Sequence, residues 1–258
     1  MTTNIFLPGL DDFHRTLLQS VRGAEGYEFH GLLNYDQVVH PSHYPIAEML
    51  AGARNQLDAF PGSVDAIIGH WDFPTPPLIA QLCAEYGLCG PSLASVLIAE
   101  HKYWCRRVQA RSVPECTPAF EAVDPSDHAA AERITLPYPF WLKPSIAFSS
   151  QLAFFIGDGA QLENALAATR RGIGLFGEPF RVFCEATSFP PDVPVERDAW
   201  WCIAEAVIGG EQCTAEGYVY RGEAAVYAIV DSYREGVHGS CFSRYQLPSL
   251  LPEGVKAR

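Results

Sequence analysis

The feature that most limits the fold of this chain is an early alternation of short apolar runs with helical stretches. Asn4-Ile5-Phe6-Leu7-Pro8-Gly9 is apolar and ends in turn residues, and Asp11-Asp12 then opens a segment, Phe13 to Leu18, with helical apolar spacing. Tyr27 to Asn34 and Val64 to Gly69 are further strand candidates, the second closed by the turn-prone loop His70-Trp71-Asp72-Phe73-Pro74. Pro77 to Tyr86 is predicted helical. Strands that alternate with helices lie mostly parallel in one sheet and gather ligands at their carboxyl ends. The loops at Gly9-Leu10-Asp11 and His70 to Phe73 fall at such ends, which makes His70 and Asp72 candidates for contact with a substrate. A plain dinucleotide-binding enzyme is disfavoured, because Pro8-Gly9-Leu10-Asp11-Asp12 lacks G-x-G-x-x-G and sets two acids against a pyrophosphate.

The rest of the chain has a different rhythm. Ala94 to Arg111 is predicted as one strongly helical stretch containing Glu100-His101-Lys102, ended by Val113-Pro114, and Asp124 to Arg133 reads as a surface excursion. Phe140-Trp141-Leu142-Lys143-Pro144 is an apolar strand ending in a lysine, followed by the small-residue loop Ser145 to Gln151 and a helix from Gln161 to Arg171. Trp200 to Ile208 reads as a buried strand that turns at Gly209-Gly210-Glu211 into Gln212 to Tyr220, and Arg221-Gly222-Glu223 makes a hairpin into Ala224 to Asp231. An antiparallel meander thus follows the α/β part, so the class is α/β, α+β overall.

Composition narrows the partners. The chain has 258 residues, 48% of them apolar, enough for a sizeable core. A net charge of −12 with no long basic run argues against nucleic acid and membrane surfaces. No run of about 18 apolar residues occurs, and the start of the chain reaches acidic residues before a signal region forms, which points to the cytoplasm. The eight cysteines form no CxxC pair, and they read as reduced, buried thiols.

Four of these features occur together in one order: Glu100-His101-Lys102, Trp141-Leu142-Lys143-Pro144 running to Ser149-Ser150, Ala204-Glu205-Ala206-Val207-Ile208, and Gly210-Glu211. In that order they resemble the ATP-grasp superfamily over nearly the whole chain. The resemblance implies a parallel pre-ATP-grasp domain at 1–95, an ATP-grasp first lobe at 96–204, and a hinge with the start of an antiparallel second lobe at 205–258. It implies that Lys102 and Lys143 meet the phosphates of ATP, that the 145–151 loop closes over them with the Ser149 and Ser150 hydroxyls, and that the main chain at Ala206 and Ile208, beside Glu205, reads adenine. Glu211 would accept from the ribose hydroxyls. Arg234, as a catalytic group toward an acyl phosphate, and His238, toward substrate, follow the meander strand that lines the site in the superfamily.

The implied chemistry is ATP-dependent joining of a small carboxylate to an amine through an acyl phosphate. The superfamily's lid is usually rich in glycine, whereas this one carries Ile146, Ala147 and Phe148. The magnesium ligands of the superfamily would fall beyond Arg258, so no metal ligand is expected in this chain. The alternative is a non-catalytic ATP-grasp-like module that binds a nucleotide or a partner. An open sheet edge after Asp231 makes a homodimer an expected association.

Overall fold

The computed structural model describes residues 2–39, 42–235 and 241–256. His238 therefore lies outside the described residues. The chain divides into two compact units, Met1–Ala206 and Val207–Arg258.

The first unit opens with a three-stranded sheet in the order β2-β1-β3, formed by β1 (Thr3–Pro8), β2 (Tyr27–Leu32) and β3 (Ala66–Ile67). Both neighbours of β1 are parallel to it, with Ile5 opposite Phe29 and Ala66. Parallel strands are covered on both faces, which is why Phe6 and Leu7 are both buried although they point to opposite sides. Only two residues of the expected Val64 to Gly69 strand count as β3, with Asp65 N–H donating to Asn4 O and Ile68 N–H to Phe6 O on either side.

Helices α1 (Asp12–Gln19), α2 (Tyr35–Val38), α3 (Ile46–Asp58) and α4 (Thr75–Glu85) follow these strands. Asp11 caps α1 by accepting from His14 N–H, and α4 carries prolines in its first turn, where no intrahelical donor is lost.

The expected single helix over Ala94 to Arg111 is two helices, α5 (Leu93–Glu100) and α6 (Lys102–Ser112), broken at His101. His101 adopts an extended backbone, with φ −81° and ψ 101°, and its Nδ1 accepts from Trp104 N–H at 3.2 Å. Its ring is fully buried, stacks on Trp104 at 4.0 Å, and lies within 3.0 Å of Asp198 O through Nε2. Burial pushes its pKa down to about 3, so the ring is neutral, with Nε2 as the donor to Asp198 O. The break therefore comes from tertiary burial, since no helix-breaking residue stands there.

A second, four-stranded antiparallel sheet runs β4-β7-β5-β6, from β4 (Phe120–Val123), β5 (Phe140–Pro144), β6 (Phe154–Ile156) and β7 (Cys202–Ala206). One face, carrying Phe140, Leu142, Cys202 and Ala204, packs on Leu162, Ala165 and Leu166 of α8 (Gly159–Gly172). The short α7 (Ala130–Arg133) and the buried Pro125 and Ala130 show that the Asp124 to Arg133 segment is partly core, not wholly a surface excursion. Helix α9 (Gly174–Glu185) buries Phe176, Phe180 and Phe183.

The second unit is an antiparallel sheet in the order β10-β9-β8, from β8 (Cys213–Tyr220), β9 (Glu223–Glu235) and β10 (Cys241–Gln246), with the short helix α10 (Glu253–Lys256). The hairpin turn has Arg221 at φ 51° and Gly222 at φ 85°, the pair of left-handed residues that a tight two-residue turn requires. The cysteine expectation needs correction: Cys89, Cys116 and Cys213 are exposed, while Cys83 and Cys202 are buried. Among the described residues no helix is long and apolar enough to cross a membrane.

Candidate functional site

In β5 the buried residues are Phe140, Leu142 and Pro144, so Trp141 and Lys143 lie on the opposite face of the sheet from the α8 core. Antiparallel register sets Trp141 opposite Glu205 and Lys143 opposite Ile203, which brings Lys143 and Glu205 together as diagonal neighbours on that face. Lys143 Nζ donates to Glu205 Oε2 at 2.7 Å and sits 5.8 Å from the centre of the Trp141 ring. Arg106 of α6 donates through Nε to the other oxygen, Oε1, at 2.6 Å, and also bonds Gln109. The Glu205 side chain is only 6% exposed, whereas those of Lys143 and Arg106 are each 28% exposed. Burial alone pulls the Glu205 pKa up, but Lys143 and then Arg106 outweigh it, so the carboxyl titrates below its ordinary value and is an anion.

Lys102 starts α6, where its backbone N–H donates to Ser145 O at 2.8 Å and its Nζ to Ala147 O at 2.6 Å. Burial and then the charge of Lys143 push its pKa down to about 8, while Glu100, Glu205 and Asp72 oppose the shift. Burial likewise raises the Glu100 pKa. Lys143, Glu100, Glu205 and Asp72 are thus each close enough to act on the charge of Lys102. The chain holds only three lysines, and two of them stand here.

The 145–152 loop is anchored at its start and strained at its end. Ile146 is buried and Phe148 packs edge-on against Phe176 at 5.4 Å, while Ser149, Ser150 and Leu152 have φ of 51°, 58° and 53°. That is a left-handed backbone which glycine would adopt without strain.

Among the expected site residues, the structure thus brings together Lys102, Lys143 and Glu205, with Asp72 close enough to act on Lys102. The His70 ring lies tilted against His14 at 4.3 Å, and His14 Nδ1 lies 2.8 Å from Asp11 Oδ1, a separate cluster at the carboxyl ends of β1 and β3. Burial and then His14 lower the His70 pKa. Ser149 and Ser150 are exposed on the loop. Ala206 closes β7, its N–H donating to Ala119 O at 2.9 Å. Ile208, Glu211 and Arg234 belong to the second unit: Ile208 is 68% exposed, Glu211 is exposed, and Arg234 Nε donates to Gln212 at 2.6 Å with its guanidinium 4.0 Å above Phe242. Arg106 was not among the sequence candidates, although its place four residues after Lys102 on one helix face is the signal that points to it.

Comparison with solved structures decides the architecture. Over 99% of its length the chain superposes on L-amino acid ligase from Bacillus licheniformis, with a TM-score of 0.67 and 17% identity. The chain has an ATP-grasp fold. The ATP-grasp similarity extends to a biotin carboxylase from Campylobacter jejuni solved with an ATP analogue, at TM-score 0.64, 14% identity and full coverage of this chain. D-alanyl-alanine synthetase A from Vibrio cholerae O1 biovar eltor str. N16961 matches at TM-score 0.61 and 10% identity over 99% of this chain. The chain spans 59%, 57% and 77% of those three proteins respectively. No protein-family model and no curated protein matches the sequence.

Proposed function

We propose that this chain is the ATP-binding part of an ATP-dependent carboxylate-amine ligase, with ATP held by Lys102 and Lys143. The observation that carries the reading is Lys143 paired with the buried Glu205, and Lys102, within reach of both their charges, engaged by a carbonyl of the adjoining loop. A polyphosphate needs concentrated positive charge, and a lysine held in a desolvated pocket offers its charge in a low-dielectric setting where it acts strongly. Ser149 and Ser150 would close over the phosphates, Ala206 and Ile208 would read the adenine edge, and Glu211 would hold the ribose. His70 and Asp72, on the loop after β3, are proposed to face the acceptor substrate, and Arg234 to meet the acyl phosphate.

When bound, ATP supplies a phosphoryl group that turns a carboxylate oxygen into a leaving group, and an amine displaces that phosphate to form an amide. The protein's part is charge placement: Lys102 and Lys143 offset the negative charge that moves onto the β-phosphate. Among the described residues no three His, Cys, Asp or Glu side chains are placed to hold a metal ion, so the residues present do not fit a magnesium site. The names of the neighbouring L-amino acid ligase and D-alanyl-alanine synthetase support amino-acid substrates for both the carboxylate and the amine.

Calorimetric titration of ATP into the chain tests the reading. Binding that weakens about tenfold or more in both Lys143→Ala and Glu211→Ala is expected. Unchanged affinity in both variants would sink it.

A further inference from the structure

We infer that Arg106 is a positioning residue for the nucleotide: by holding one oxygen of Glu205, it leaves the charge of Lys143 available to a phosphate. The inference rests on the reading of Lys143 given above.

The geometry carries it. Glu205 is 5% exposed and its two oxygens go to two different cations, Lys143 at 2.7 Å and Arg106 at 2.6 Å. A buried carboxylate cannot stand alone, because desolvation without a partner is unfavourable by several kcal/mol. With Lys143 as its only partner, Glu205 would neutralise that lysine, and any movement of the ammonium toward a phosphate would strand the carboxylate. Arg106 changes both outcomes. Its Nε holds Oε1 while Nη1 donates to Gln109, so Glu205 keeps a partner while Lys143 turns outward.

In the described contacts the Arg106 guanidinium bonds only to the Glu205 carboxylate and to Gln109, so its effect on a nucleotide passes through Glu205.

Calorimetric titration of ATP into the chain and into R106Q, R106K, E205Q, R106Q/E205Q and K143M tests this. R106Q is expected to weaken ATP at least about tenfold, and R106K to restore affinity to within about threefold of the parent. In the double variant no charge is stranded, so its affinity should lie within about twofold of that of E205Q alone. If R106Q fails to fold, R106K and the comparison of the double variant with E205Q decide. Parent-like affinity in R106Q overturns the inference. A further loss of about tenfold in the double variant relative to E205Q also overturns it, because Arg106 would then contact the nucleotide itself. K143M separates the two levels: undiminished binding there removes the nucleotide reading, whereas lost binding there with intact R106Q removes only the role of Arg106.

Discussion

Strands β7 and β8 are near neighbours in sequence and opposites in environment. In β7, Cys202, Ile203, Ala204 and Glu205 are all buried, with β4 and β5 on either side, whereas every residue of β8 is exposed at the edge of a three-stranded sheet. Composition does not explain this, since β8 carries Tyr218, Val219 and Tyr220. Layering does: the β7 sheet has α8 packed on one face, and Ile203 on the other belongs to the main core, while among the described residues the second unit has only the four-residue α10. Apolar side chains become core only where a second layer meets them. A strand buried on both sides can also hold a carboxylate such as Glu205 in fixed geometry, which a solvated edge strand cannot.

The contrast breaks most easily in the core. Ile203→Ala should destabilise the first unit by about 3 kcal/mol in urea unfolding, while Val219→Ala should change stability by less than about 0.5 kcal/mol. Equal losses would mean that β8 is covered. His101→Ala should follow at about 2 kcal/mol, because it removes the cap of α6 and the buried ring stacked on Trp104, while Asp198 O keeps Trp201 N–H as a donor.

The next effect is electrostatic. Because Lys102 titrates near 8, ATP affinity should be full below that pH and fall by up to about tenfold per pH unit above it, as binding then requires proton uptake. Lys102→Met should flatten that slope. The sign reverses for folding of the free protein: the folded Lys102 pKa of about 8 lies below the ordinary 10.5, so the unfolded chain binds more protons between those values and this group's contribution to stability rises with pH there.

The smallest expected change sharpens the other side of the comparison. Arg221→Asn at φ 51° should stabilise the β8–β9 hairpin by about 0.5 kcal/mol, seen as slower amide exchange in those strands and no change in β7.

Much of this was readable from local pattern. The early strand and helix alternation, the strand ending in Lys143 and the Arg221-Gly222 hairpin each carry their own signal over a few residues. What escaped depends on distant partners. Nothing near His101 breaks a helix; its ring does so because Trp104, Phe180 and Asp198 surround it. Helix α9 carries Gly174, Gly177 and Pro179, a weak local helix signal, yet Phe176, Phe180 and Phe183 share one face and bury completely. Gly177 is there for packing, since a Cβ would lie 3.0 Å from the Trp200 ring. Arg106 meets Glu205 across 99 positions of sequence, a pairing no local pattern records. Glu205 itself was legible as a carboxylate in an apolar strand, and its two partners were the part that needed coordinates.

The most direct measurement uses the scarcity of lysine. Reductive methylation followed by mass spectrometry reports Lys102, Lys143 and Lys256 separately in the unaltered protein. At ATP concentrations about tenfold above its dissociation constant, Lys102 and Lys143 should both be protected by at least about fivefold while Lys256 reacts as before. Unchanged rates at Lys102 and Lys143 in the presence of ATP would contradict the claim that these two side chains share one nucleotide.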